Sequence, residues 1–308
     1  MKLCVLTPHS MHLAALTQPW EYSLDGNDVC TAMQLADDLG FAKVVMGEHF
    51  VIPTNHLSLS GDHYFHTAVA LGVIGGCTKN IRMTPAISIL PLQHPIVQAK
   101  AWATLDWMTC GRAEVMFGVG WLKEEFEFLN VPFHERGKMA DEYAAAMIAL
   151  WHNDCATFEG KYVSFRDACL APKPVQKPHL PMWFGGDAEA MQKRVAKFGD
   201  GWQPQTLHPE RFPERIDFIK SQPEYDGRPI GISFALDQLK VGKEHEVLSD
   251  PLAAGSCDAQ EVIDQIGWLA SRGVTETSVP IPRLQDFQEY LDYLGWIGAE
   301  IIPAVRDI

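Results

Sequence analysis

Apolar residues along this chain follow two alternating rhythms. Short, nearly continuous apolar runs give way to longer stretches in which apolar positions recur at helical spacing. Lys2–Leu6, Lys43–Met46, Ile81–Leu90 and Ala113–Phe117 read as strands. Asp28–Leu39, Thr67–Cys77, Pro95–Met108 and Lys138–Trp151 read as helices, the first stopped by Gly40 and the last carrying Met139, Tyr143, Met147 and Leu150 on one face. Phe158–Phe165 alternates around Gly160 as a small hairpin before Pro172-Lys173-Pro174, and reads as an insertion. The first rhythm then resumes. Met182–Phe184 is strand five, Gly201–Gln203 strand six, Pro229–Leu236 strand seven and Thr275–Val279 strand eight. Their helices fall over 209–220, after an Asp258 cap to Ser271, and near 284–295, with the polar stretch Gly242–Gly255 as a loop.

Pro181–Trp202 condenses one such unit. Its strand ends at Gly185-Gly186, Asp187 is placed to cap a helix bearing Met191, Val195 and Phe198, and Gly199 ends that helix. A glycine pair between a strand and a helix N-terminus either offers bare amides to a phosphate or serves only as the turn that so short a connection needs. Eight strands alternating with helices predict an α/β fold, a (β/α)8 TIM barrel forming one domain over residues 1–308, with insertions at the C-terminal face of the strands. A doubly wound open sheet would carry its glycine fingerprint after the first strand, where Thr7-Pro8-His9-Ser10 has no glycine. Chemistry in a barrel belongs to residues just past each strand.

Composition removes several function classes. A net charge of −14 argues against nucleic acid or an anionic membrane as partner. No charge-free apolar run of about 18 residues is present, and MKLCVLTPHS lacks a signal-peptide core, so a cytoplasmic protein is expected. Seven cysteines without a Cys-x-x-Cys pair predict reduced thiols, most of them small core residues.

Besides Gly185-Gly186, two strand ends hold candidate chemistry. Past strand two stand Glu48 and His49, an acid beside an imidazole that can move a proton at neutral pH or make a structural hydrogen bond. His56, His63 and His66 follow, but their loose spacing, without a His-Glu-x-x-His helix or a partner cysteine, predicts no metal site. Past strand four, Gly118 and Gly120 either let a flat ligand approach the backbone beside Trp121 or only permit a tight turn. Glu124 and Glu125 either serve acid–base chemistry or favour the next helix N-terminus.

Taken in order, several segments make the chain resemble the luciferase-like flavin-dependent oxidoreductases, a superfamily of monooxygenases and of deazaflavin (coenzyme F420) dependent dehydrogenases and reductases. They are Val45–Pro53, Ile81–Lys100, Ala103–Phe126, Pro132–Tyr143 and Leu170–Gly186. The subgroup most similar is the deazaflavin-dependent one. The resemblance implies a barrel with the ring of F420 or FMN at the strand C-terminal rim and its phosphate near Gly185 and Gly186. It implies His49 beside the redox ring with Glu48 orienting it, Gly118, Gly120 and Trp121 around the ring, a non-proline cis peptide near Pro85-Ala86, and a homodimer. Met116 stands where the family turn commonly has its first glycine, and a larger side chain there would narrow the ring site.

The leading expectation is therefore an oxidoreductase that uses a reduced flavin-type cofactor, F420 ahead of FMN. It would transfer hydride to or from a small organic substrate, or, with dioxygen, act as a monooxygenase. The rivals are a flavin-binding barrel with little catalysis and a metal-dependent barrel hydrolase built on the histidines. Trp20, Phe50, Trp121 and the region Asp154–Phe165 either shape an apolar pocket at the rim or belong to ordinary core.

Overall fold

The computed structural model describes residues 1–236, 250, 252 and 255–308. Four strands come first: β1 (Lys2–Leu6), β2 (Lys43–Met46), β3 (Arg82–Ile89) and β4 (Val115–Gly118). Next, β5 (Cys155–Glu159) and β6 (Ser164–Cys169) pair as a separate antiparallel hairpin; β7 (Met182–Gly185), β8 (Gly201–Gln203), β9 (Gly231–Ile232) and β10 (Glu276–Ser278) complete the main sheet. The helices of the first half are α1 (Gly26–Leu39), α2 (Leu57–Ser60), α3 (Thr67–Cys77), α4 (Pro95–Met108), α5 (Lys123–Phe128) and α6 (Arg136–His152). Those of the second half are α7 (Glu189–Phe198), α8 (Phe212–Lys220), α9 (Ala259–Ala270), α10 (Phe287–Trp296) and α11 (Ile302–Val305).

The main sheet has eight strands in the order β10-β1-β2-β3-β4-β7-β8-β9, every pairing parallel. Its ends meet where Ser233 bridges Glu276 and the Phe234 N–H donates to the Glu276 carbonyl at 3.0 Å. The result is the TIM-like barrel that the alternating rhythm predicts. Strand seven is shorter than the pattern suggests. Past Ile232 the backbone N–H of Phe234 turns to β10, so only Gly231–Ile232 ladders with β8.

Local chemistry explains the joints. Asp25 caps α1 by accepting from the N–H groups of Asn27 and Asp28, and Gly40 closes it at φ 90°, in the left-handed region that favours glycine. Asp37, buried near the end of α1, accepts from the backbone N–H of Lys79 at 2.5 Å and of Ile81 at 2.6 Å, which fixes the turn into β3. Asp258 caps α9 as predicted. Asp187 does not cap α7, whose N-cap is Ala188; its carboxylate accepts instead from Gln205 N–H at 2.8 Å and Thr206 N–H at 2.7 Å. The aspartate lies one residue too early, and the loop after β8 supplies donors that take it away from the helix.

One further expectation is corrected. Cys155 and Cys169 stand directly opposite in the β5–β6 register and form a disulfide, so the seven cysteines are not all reduced thiols. Among the described residues no helix is long and apolar enough to cross a membrane. The loop read at Gly242–Gly255 lies almost wholly outside the described residues.

The barrel interior is polar at the N-terminal end of its strands. Lys43 on β2 is 1% exposed and pairs with Glu114 and, at 2.6 Å, with Glu276; Arg82 also pairs with Glu114. Burial opposes every one of these charges. The lysine and arginine outweigh it for Glu114, whose pKa is lowered, while burial keeps Glu276 raised despite Lys43. Trp183 covers the group from β7, with Lys43 Nζ 4.0 Å from its ring centre. A Cβ on Gly201 or Gly231 would lie 2.0 or 2.3 Å from that ring, so both glycines make room for it.

Candidate active site

At the opposite, C-terminal end of the strands lies a cavity of about 520 Å³. Gly47, Glu48 and His49 line it from the end of β2, Ala86 and Ile87 from β3, Trp121 from the loop after β4, and Gln205 and Thr206 from the loop after β8. Met11 and Leu13 close one side, and Leu59, Ser60 and Tyr64 another. The bond Ala86–Ile87 is a non-proline cis peptide, one bond beyond the place that the resemblance implied.

His49 is not oriented by its neighbour in sequence. Its Nδ1 lies 2.9 Å from Glu125 Oε2, and the other oxygen of Glu125 accepts from Phe50 N–H at 2.6 Å and Val51 N–H at 3.4 Å. A carboxylate oxygen accepts in this pair, so His49 Nδ1 donates and Nε2 is the ring nitrogen left toward the cavity. Tyr64 and Trp121 pack edge-on to the imidazole, their ring centres 4.9 and 5.9 Å away. Tyr64 donates to the Ser60 carbonyl at 2.9 Å, and its phenol pKa is pushed up by burial and then by the charge of Glu125.

Glu48 has a different task. Its carboxylate accepts from Thr67 Oγ1 at 2.5 Å, Ser88 Oγ at 2.9 Å and Ile89 N–H at 2.8 Å. Those bonds tie the end of β2 to α3 and to the end of β3, where the cis bond lies. Burial raises its pKa, and the three donors only partly offset that. The reading of Glu48 as the group that orients His49 is therefore corrected in favour of Glu125, because adjacent residues at a strand end point to different sides.

The predicted glycines are near the cavity but do not line it. A Cβ on Gly118 would fall 1.8 Å from Ile87 Cδ1, and one on Gly185 would fall 3.0 Å from Ile87 Cγ2. The two glycines form a seat for the Ile87 side chain rather than a gap for a ligand. Gly120, at φ 78°, packs where a Cβ would meet Phe126 and Ile89 at 2.7 and 2.8 Å. Gly186 sits at φ 134°, and its N–H donates to the Gln203 carbonyl at 2.9 Å, so that amide is not bare. Met116 is 2% exposed on β4 and is not among the lining residues, so it does not narrow the cavity.

Of the aromatic candidates, Trp121 lines the cavity; Phe50 packs against the small cluster of Ile89, Leu92 and Phe126, and Trp20 is buried against Tyr290. The hairpin residues of 154–165 are not in the lining. Sequence reasoning missed Met11, Ser60, Tyr64, Gln205 and Thr206; the strand-end rule pointed to the loops after β1 and β8, but no residue type there stood out.

His56, His63 and His66 do not converge. His56 packs edge-on to Trp121, and His66 packs against Phe50. His63 instead joins His9 and His12, with ring centres 4.5 and 4.1 Å away. Burial and then the neighbouring imidazoles lower the pKa of His9 and bring that of His12 down to about 4.

A sequence profile of the luciferase-like monooxygenases matches residues 1–275. The chain belongs to that family. Among luciferase-like relatives, an uncharacterized protein of Mycobacterium tuberculosis is 38% identical over 185 residues, 56% of this chain and 65% of that protein. An FMNH2-dependent dimethylsulfone monooxygenase of Pseudomonas putida is 29% identical over 188 residues, 59% of this chain and 52% of that enzyme. The match thus spans less than two thirds of either relative. An F420-dependent secondary alcohol dehydrogenase, solved with an F420–acetone adduct, superposes with a TM-score of 0.74 at 19% identity, covering 99% of both chains. At that identity the likeness establishes the luciferase-like fold. Members of the family thus use F420 or FMNH2.

Proposed function

We propose that this luciferase-like protein is an oxidoreductase whose rim cavity holds the ring of a reduced flavin-type cofactor, F420 in preference to FMN, beside a small organic substrate. The observation that carries the reading is His49, lining a 520 Å³ cavity with Nδ1 held by the buried Glu125. A cavity of this size lies within the range of small-molecule sites, about 300–1,000 Å³. Its lining fits the group: apolar Ile87, Leu59 and Met11 for a flat ring, with His49, Ser60, Gln205 and Thr206 as the polar minority. The cofactor, when bound, supplies the acceptance or donation of a hydride.

The chain's own residues supply position and a proton path. In alcohol oxidation the substrate hydroxyl gives its proton to His49 Nε2 as its carbon gives up hydride; in carbonyl reduction the proton returns. Glu125 keeps the imidazole in the required tautomer. Trp121 and Tyr64 flank the ring of His49 and limit water there. Ala86, beside the cis bond, forms part of the floor. Asp187 accepts from the backbone N–H groups of Gln205 and Thr206 and from Thr206 Oγ1 at 2.7 Å, so both residues reach the cavity wall from a fixed loop, with Gln205 as the one whose polar side chain is not taken by Asp187. The same reading includes a homodimer, for which α3 offers an apolar face with Val69 and Val73 exposed.

Separate reconstitution with F420 and with FMN, followed by absorbance and fluorescence, tests the proposal. Stoichiometric F420 binding with hydride exchange from a secondary-alcohol panel is the expected result. Binding of reduced FMN alone would transfer the reading to a monooxygenase, which is the second function the family contains. Binding of neither would overturn the flavin-type reading.

A further inference from the structure

We propose that His9, His12 and His63 form a binding site for a zinc-class divalent cation, outside the reacting cavity, that clamps two rim loops together. Each of the three offers a ring nitrogen, and these atoms all lie within 4.8 Å of one another. Around tetrahedral zinc, with Zn–N of about 2.0–2.1 Å, neighbouring donors stand roughly 3.3–3.4 Å apart. His12 Nε2 and His9 Nδ1 share a hydrogen bond at 3.0 Å, whose proton moves to the other nitrogen of its ring when the cation takes its place, and the third ring has to close by at most about 1.5 Å on that geometry. His12 and His63 stack at 16° with centres 4.1 Å apart, and one of them turns on binding so that its in-plane lone pair meets the cation.

The surroundings resemble a prepared ligand shell. His63 donates from Nε2 to the His9 carbonyl at 3.0 Å, which fixes its tautomer with Nδ1 unprotonated; metal-ligating histidines characteristically use their other N–H in this way. The His9 backbone sits at φ 58°, a conformation uncommon outside glycine, and its N–H donates to Glu21 Oε2 at 2.8 Å. The backbone beneath is rigidly paired: Met11 bridges Tyr64, His12 N–H donates to the His63 carbonyl at 2.9 Å, and Phe65 N–H donates to the Ser10 carbonyl at 2.9 Å. Gly61 permits the approach, since a Cβ there would lie 2.0 Å from the His12 carbonyl oxygen.

Three imidazole nitrogens with no carboxylate among them select zinc, cobalt, nickel or copper and disfavour calcium and magnesium, which want oxygen. A water completes the set of four. Because Met11 and Tyr64 line the cavity next door, the cation would hold that wall in place without touching the reacting atoms.

The test uses the whole chain after chelator treatment. Zinc titration by calorimetry should give one ion per chain with a Kd of about 1 μM or below. Cobalt should give the visible absorption of a low-coordinate, nitrogen-ligated centre, and zinc should raise the melting temperature. His9→Asn, chosen because Asn tolerates the left-handed backbone, and His63→Ala should each weaken zinc binding by at least about 100-fold and abolish the thermal shift. His56→Ala should change neither. Circular dichroism identifies any variant that fails to fold, and the other variant then carries the decision. Failure of the wild type to bind zinc below about 100 μM would overturn the site, as would unchanged affinity in a folded His9 or His63 variant.

Discussion

Replacing Glu125 by glutamine tests how His49 is set for chemistry. The wild-type carboxylate accepts at both oxygens, from His49 Nδ1 at 2.9 Å and from Phe50 N–H at 2.6 Å. The amide keeps an acceptor for Phe50 but turns an NH2 toward His49. Nδ1 must then accept, so the ring proton moves to Nε2 and the cavity meets a donor where it had an acceptor. Volume and packing are unchanged, so the cost to stability is confined to one charge-assisted hydrogen bond, about 1.5–3 kcal/mol. Turnover should fall by about 10²–10⁴-fold, the usual worth of a positioned acid–base group, equivalent to about 2.7–5.5 kcal/mol in the barrier. Cofactor affinity should change little, because Glu125 is fully buried behind the imidazole. The assay pairs hydride exchange by the reconstituted enzyme with nitrogen NMR of the histidine ring, which reads the tautomer without a substrate. An unchanged kcat, or a proton that stays on Nδ1 in the variant, would refute the assignment.

Two other perturbations discriminate further. Gly118→Ala places a methyl group on Ile87 Cδ1, 1.8 Å from the ideal Cβ, so Ile87 must swing toward the cavity; titration should show cofactor affinity reduced by roughly 10-fold or more, at about 1–3 kcal/mol for an overpacked site. Glu48 has its pKa raised above the ordinary 4.5 by burial, so the folded state holds its proton more firmly than the unfolded chain. Its contribution is therefore lost as pH rises from about 4.5 through the elevated value, and urea midpoints of Glu48→Gln should fall less steeply than those of the wild type across that window. Equal slopes would show that its three donors fully offset burial.

The barrel was legible because strand and helix rhythms alternate through the whole chain, and periodicity survives even where boundaries shift by a residue or two. Strand ends likewise led to His49 and Trp121, and the family resemblance to Ala86. What could not be read was which side chains meet. Glu125 stands 76 residues from His49, and only folding brings the start of α5 against the end of β2. His9 and His12 drew no notice because their partner, His63, lies 54 residues beyond His9 in another loop. Gly118 and Gly185 signalled close approach correctly, but residue type does not say whether the approaching group is a ligand or Ile87. Cys155 and Cys169 illustrate the same limit, since their pairing depends on hairpin register rather than on a spacing motif.

Among the described residues, the plug of Trp183, Lys43, Glu114 and Glu276 closes the barrel at its base, so the cavity opens at the rim. On the proposed function, cofactor and substrate would then both come and go through that rim. On that proposal, whichever of the two sits deeper would arrive first and depart last. Exchange would then be ordered by depth, past the loops bearing Met11, Tyr64 and Gln205 that line the opening.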